Sequence, residues 1–272
     1  MRVQGIEIKG RSVSGYTTSI ALPGYNLVFD CGMATHEAVS CENVAITHGH
    51  LDHFGGIARH AYIRGMTGAA PSQFIVPPWL VKPTHETMRF WSRVQESRSA
   101  PYNVTAVKEG GRVKIAHNRF LRPFTTDHRV KSQGYILFEE RKRLKPEFVG
   151  TEGRELGRLR QEGVEFEDIF EAPLVGFTGD TRARLFKTFT PAAKVFIVEC
   201  TFIDDTVSVV EARKKGHIHL SELAKRPEVF KDVDTLMLAH FSKRYANADI
   251  EAAIKRLPKA LREKTTYLPL AK

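Results

Sequence analysis

Thr47-His48-Gly49-His50-Leu51-Asp52-His53 packs four potential metal ligands, three imidazoles and one carboxylate, into six residues. The apolar run at 43–47 feeds straight into it, so the spacing predicts a loop at the end of a strand. Burying such groups side by side without partners is costly. Metal ligation removes that cost, and neutral imidazole with carboxylate suits zinc. Rings aimed in separate directions let one loop serve two ions. Two adjacent ions need more ligands, also at strand ends. His128 follows Phe124-Thr125-Thr126-Asp127, Asp180 closes Gly176-Phe177-Thr178-Gly179, and His240 follows Leu236-Met237-Leu238-Ala239. Each alone is a weak signal; together they supply the missing ligands.

Outward from this loop, alternating runs at 3–8, 12–22 and 26–30, punctuated by Gly10-Arg11 and Pro23-Gly24, read as antiparallel strands. Residues 54–64 read as a helix and 74–76 as a strand. Residues 82–98 have helical spacing, with Met88, Trp91 and Val94 on a side expected to face the core. Further strands are expected at 103–107, 112–115, 120–125, 134–139, 174–178, 193–199 and 236–239. Helices follow at 221–224, with Ser221 as N-cap, and at 247–256. Both halves run strands and then helix, which predicts an α/β sandwich of two sheets with helices outside, a single unit over 1–272.

Residues 141–171 differ in character. They are charged, glycine-rich and poor in strand formers, and read as an inserted basic arm. Its cations Arg141, Lys142, Arg143, Lys145, Arg154, Arg158 and Arg160 are the candidates for touching substrate.

The 272 residues, 42% hydrophobic and 26% charged, can bury a sizeable core without disulfides. Cys31, Cys41 and Cys200 show no CxxC spacing, which points to reduced thiols and a cytoplasmic setting. No stretch has the length of a signal-peptide core or a membrane helix, so a soluble protein is expected. A net charge of +10 favours a polyanionic partner. His36, His60, His85 and His117 have no partner pattern and read as surface or helix-packed residues.

The ligand residues, in this order, resemble the metallo-β-lactamase superfamily, whose fold is a four-layer αββα sandwich. Their surroundings resemble more narrowly its tRNase Z (ribonuclease Z) family, short form. His128 with Gly134-Tyr135 is similar to that family's histidine-plus-GY segment. Glu199-Cys200-Thr201-Phe202 is similar to its E-A-T-F box, with Cys200 in place of a small residue. Gly216-His217-Ile218-His219-Leu220-Ser221 stands where a further box falls, and His240-Phe241-Ser242-Lys243-Arg244-Tyr245 matches its HFSxRY signature.

The resemblance implies two zinc ions per subunit, with manganese as an alternative. His48, His50 and His128 would hold one, Asp52, His53 and His240 the other, with Asp180 bridging. It also implies a homodimer and removal of 3′ trailers from tRNA precursors by an activated water, leaving a 3′-hydroxyl on the tRNA. Asp52 would take the water's proton, and His217, poised by Glu199, would protonate the leaving oxygen. His219 competes for that last role, since in an extended segment residues 217 and 219 face one way. The alternatives are a metal-dependent phosphodiesterase or other small-molecule hydrolase on the same scaffold, and a non-catalytic RNA-binding relative.

Overall fold

The structure is a computed structural model describing residues 1–270. A small ribbon of β1 (Arg2–Val3) and β2 (Ile6–Glu7) precedes two large sheets. The first has six strands in chain order: β3 (Lys9–Val13), β4 (Thr17–Leu22), β5 (Leu27–Phe29), β6 (Asn43–Ala45), β7 (Ser72–Val76) and β8 (Tyr102–Ala106). β3 to β5 pair antiparallel and β5 to β8 parallel. Against it lie α1 (His36–Ser40), α2 (Leu51–Phe54), α3 (Ile57–Met66) and α4 (Val81–Val94).

The second sheet has seven strands, again in chain order: β9 (Val113–Ala116), β10 (Arg119–Thr125), β11 (Gln133–Leu144), β12 (Glu167–Phe177), β13 (Ala193–Glu199), β14 (Val233–Ala239) and β15 (Thr265–Tyr267). β9 to β12 are antiparallel and β12 to β15 parallel. α5 (Gly153–Gln161) tips the loop between β11 and β12. α6 (Val209–Lys215), α7 (Leu220–Ala224), α8 (Asn247–Lys255) and α9 (Lys259–Arg262) follow.

The strand pleat explains the four layers. On β13, Val195 and Ile197 face the other sheet while Phe196 and Val198 face the helices. On β6, Ala45 turns inward and Val44 outward. Strands apolar on both faces must be covered on both faces, and each fully buried large side chain contributes about 1.5–3 kcal/mol. The expected αββα sandwich is therefore what forms.

Several local expectations differ. The run at 12–22 is two strands, because Gly15 takes φ +72° in the turn between them. The helix expected at 54–64 is interrupted: α2 ends at Phe54, and a Cβ on Gly56 would stand 2.8 Å from the Cys31 carbonyl oxygen. On α4 only Met88 of the expected core stripe is buried; Trp91 and Val94 are 43% and 56% exposed, beside exposed Phe90. α7 is capped by His219, whose Nδ1 accepts from the Ser221 amide, and not by Ser221, which lies inside it.

The arm is more regular than its composition suggests. β11 and β12 run on into it as an antiparallel ribbon, from Glu140 opposite Glu171 to Leu144 opposite Glu167. Nor is it basic. Against its seven cations stand eight carboxylates: Glu147, Glu152, Glu155, Glu162, Glu165, Glu167, Asp168 and Glu171. Arg141 pairs with Glu139, Lys142 and Arg160 with Glu167, and Arg158 with Glu155 and Glu162. Arg143 stacks 5.4 Å over Phe170. Exposed pairs like these contribute little to stability, but they neutralise four of the seven cations that the sequence pointed to.

Candidate metal centre

Both sheets deliver their functional side chains at one edge. β5 ends before Asp30, β6 before Thr47 and His48, β10 before Asp127 and His128, and β12 before Asp180. Glu199 ends β13, and His240 follows β14. Asp30 and His240 sit in the left-handed region, at φ 57° and 61°. That conformation is unfavourable for a residue with a Cβ, and it recurs where geometry serves a site.

The histidines converge. His50 Nδ1 lies 3.0 Å from His48 Nε2 and 3.3 Å from His128 Nε2, and Asp180 Oδ2 is 3.7 and 3.8 Å from the same two Nε2 atoms. Across Asp180, its Oδ1 is 3.2 Å from His53 Nε2 and 3.3 Å from His240 Nε2. Asp52 Oδ2 is 3.6 and 3.5 Å from these two nitrogens and accepts from the Gly15 amide at 2.8 Å. His48, His50, His128 and Asp180 can thus hold one ion, and Asp52, His53 and His240 a second, with Asp180 between. All seven residues proposed as ligands from the sequence come together here.

The opposite ring nitrogens show why a metal fits. His53 Nδ1 donates to Asp30 Oδ2 at 2.7 Å. His48 Nδ1 donates to the Thr47 hydroxyl, whose own proton goes to Asp30. His240 Nδ1 donates to the Thr201 hydroxyl, whose proton goes to Glu199, and His128 Nδ1 donates to the Gly216 carbonyl. Four rings are therefore fixed as the tautomer whose Nε2 lone pair points inward, the usual support for a metal-binding histidine. Asp180 Oδ1 is buried without a hydrogen bond among the described residues. Inward lone pairs facing carboxylates, with one oxygen unpartnered, are balanced by cations, and this N/O donor set suits zinc.

Electrostatics agree. Burial, with the nearby His53, holds His48 well below the ordinary imidazole range, and burial also lowers His50 and His128. These rings are neutral and ready to ligate. Burial disfavours charge on Asp180 and Asp52, yet the surrounding histidines outweigh it and hold both carboxyls below the usual range. His53 is the exception: burial is outweighed by Asp180 and Asp30, which raise it well above the ordinary value and favour a proton on Nε2 that a bound metal would displace.

Beside the centre, His217 Nδ1 stands 3.0 Å from Glu199 Oε1 and 4.0 Å from Asp180 Oδ2, its side chain 14% exposed. Burial opposes its cation, but Glu199 and Asp180 outweigh that and raise its pKa. His219 is elsewhere: its Nδ1 caps α7 and its Nε2 donates to the Asp204 carbonyl. The two rings do not face one way, because the segment joining α6 to α7 is a connection between helices. Arg141, Lys142, Arg143, Lys145, Arg154, Arg158 and Arg160 are all in the arm, none among the residues of the centre.

Sequence reasoning missed the supporting residues Asp30, Thr47 and Thr201. The one available signal was an acid ending a buried apolar strand, as Asp30 does. It also missed how HFSxRY acts. Tyr245 donates to Asp204 and accepts from the Ile203 amide, so the signature ties the loop after Glu199 to the loop after His240.

Fold and donor set together define a metal-dependent hydrolase of the metallo-β-lactamase fold. A Bacillus subtilis protein of that fold, YhfI, superposes with a TM-score of 0.64 at 14% identity, covering 96% of this chain and 95% of its own. Human tRNase Z, short form, gives 0.61 at 15%, covering 97% and 96%. No family model matches the chain. In sequence it is 36% identical to tRNase Z TRZ1 of Arabidopsis thaliana over 265 residues, 96% of this chain and 94% of that one. The chain belongs to the tRNase Z (ribonuclease Z) family.

Proposed function

We propose that the chain is a zinc-dependent endoribonuclease that removes 3′ trailers from tRNA precursors, leaving a 3′-hydroxyl on the tRNA. The observation that carries this is the His217–Glu199 pair beside a seven-ligand centre: a proton donor poised next to a site for a metal-activated nucleophile. Bound ions would supply Lewis acidity and lower the pKa of an attacking water. His48, His50, His128 and Asp180 would hold the first; Asp52, His53 and His240, with Asp180 between, would hold the second. Manganese suits the same donors less well than zinc, because it prefers more oxygen.

Asp52 takes the proton of the attacking water, the hydrogen bond from the Gly15 amide to Oδ2 keeping its carboxylate aimed. His217, with Nδ1–H held by Glu199, presents its Nε2 proton to the leaving 3′-oxygen. A carboxylate-supported imidazole is the stronger base, so its cation is favoured and the ring is suited to act as acid. Tyr245 and Thr201 keep both loops from drifting.

On the arm, Arg143, Lys145 and Arg154 make no ion pair among the described residues and are the cations left to reach RNA. The exposed Phe90, Trp91 and Val94 of α4 supply an apolar face for a homodimer. Three buried free cysteines suit a reducing, cytoplasmic setting. Among the described residues no helix is long and apolar enough to cross a membrane.

The test offers zinc-loaded protein a tRNA precursor with a 3′ trailer beside bis(p-nitrophenyl) phosphate, and maps the RNA ends. Cleavage at the tRNA 3′ end with a free 3′-hydroxyl is expected. Turnover of the small ester alone would replace this reading with a small-molecule phosphodiesterase.

A further inference from the structure

The chain's excess of positive charge has to sit outside the arm, which carries more carboxylates than cations. One place where it collects is a cleft of about 340 Å³ lined by Arg182, Arg184, Lys187, Arg213, Glu222 and Arg226. Five cations face two carboxylates there. Asp127 is shared by Arg182 Nη1 at 3.2 Å and by Arg184 Nε and Nη2 at 3.0 and 3.1 Å. Glu222 takes Arg213 at 2.7 Å. Among the described residues Arg226 donates only to the Ala183 carbonyl, and Lys187 has no ion pair. The dipole of α6 accounts for Arg213 in its last turn. It does not account for Arg184 and Lys187, which stand on the 3₁₀ turn Ala183–Lys187. Five cations against two carboxylates leave a surplus of positive charge, which favours a polyanion, and guanidinium forks suit phosphate oxygens.

The cleft is built onto one side of the metal centre. Arg182 donates its amide to the Asp127 carbonyl at 2.7 Å, and Asp127 directly precedes His128. Arg182 Nε donates to the Arg213 carbonyl, and His217 donates its amide to Ala212, the residue before Arg213. The wall of the cleft and the His128–His217 side of the centre are therefore joined by direct hydrogen bonds. His217 is the group assigned to the leaving 3′-oxygen, and that oxygen belongs to the strand 5′ of the cut.

We infer that this cleft binds backbone phosphates of the RNA strand on the 5′ side of the scissile bond. The inference rests on the RNA-cleaving reading above for its choice of anion and of side. The double variant Arg184→Ala/Lys187→Ala removes two cations; Arg184 is 73% exposed in its side chain, so the fold tolerates it. Binding of a tRNA precursor to chelator-treated, uncleaving protein is measured against salt. The variant should bind about tenfold more weakly at 0.1 M salt, with a log–log salt slope shallower by about 1 to 2. The same loss is expected with a trailer of one nucleotide as with a long one. Zinc-loaded, the ratio of precursor to small-ester kcat/KM should fall about tenfold.

Unchanged affinity and slope, or a parallel fall of both rates, would overturn the cleft. A loss seen only with the long trailer would overturn the side. Wild-type protein that binds RNA through the cleft without cutting it would sink the proposed activity and leave the cleft standing. Wild-type protein that cuts, with a variant binding equally well, would do the reverse.

Discussion

Glu199 Oε1 lies 3.0 Å from His217 Nδ1, and the same carboxylate accepts from the amides of Thr181, Ile218 and Thr201 and from the Thr201 hydroxyl. A carboxylate held by so many donors cannot swing toward the metals. It can only aim the imidazole and favour its cation. His217→Ala should lower tRNA-precursor cleavage by about 10²–10⁴-fold, the usual worth of a positioned acid, while zinc content measured by mass spectrometry stays at the wild-type level. Zinc lost along with activity would make His217 a ligand and end its role as donor.

The same pair sets a pH limb. An acid works while protonated, so rate is lost as pH rises through the His217 pKa, which Glu199 raises against burial. Glu199→Gln keeps the size and removes the charge, at the cost of turning an NH2 toward one set of these donors. The alkaline limb of the kcat profile should move to lower pH; a limb that stays in place would detach it from His217.

His219, two residues on, gives the contrasting case. It caps α7 and is bonded at both nitrogens. His219→Ala should cost about 1 kcal/mol in urea unfolding, as lost caps do, and leave the shape of the pH–rate profile unaltered. A profile without its alkaline limb would transfer the acid role to His219.

Much of this was legible in the chain because ligands must sit where strands end, and strands ending in His or Asp after an apolar run are visible as text. The seven candidate ligands, and most of the strands that carry them, follow from that. Other features depend on partners far away in sequence. Trp91 and Val94 fit a helical stripe, but periodicity cannot say whether anything covers it. The arm looks basic when its arginines are read one after another, until Glu167 and Glu155 are counted beside them. His217 and His219 look equivalent in an extended segment; only Asp204 and Glu199, brought in by other loops, tell them apart.

Asp30 tests support of the metal from behind. It accepts from the Thr47 amide and hydroxyl and from His53 Nδ1, with no donor asked of it. An amide in its place turns an NH2 toward one of these donors and loosens the His53 ring. Asp30→Asn should weaken zinc binding about 10–100-fold in competition with a chromophoric chelator. Affinity equal to wild type would mean that the ligands hold their geometry unaided.

His60 should make stability pH-dependent without any part in chemistry. It is fully buried, with Nε2 donating to the Ala38 carbonyl and Nδ1 accepting from Ser72. Burial pushes its pKa down to about 4, against an ordinary value near 6.5. Between these values the unfolded chain binds a proton that the folded chain refuses. The stabilisation is therefore complete above about pH 6.5 and is lost as pH falls toward 4. At about 1.4 kcal/mol per unit the loss is about 3 kcal/mol. Ligand histidines titrate in the same window, so the clean quantity is the difference between wild type and His60→Gln, both freed of metal. That difference should shrink by about 3 kcal/mol in denaturant unfolding between pH 7 and pH 4. A difference independent of pH would mean that His60 takes up its proton inside the folded chain.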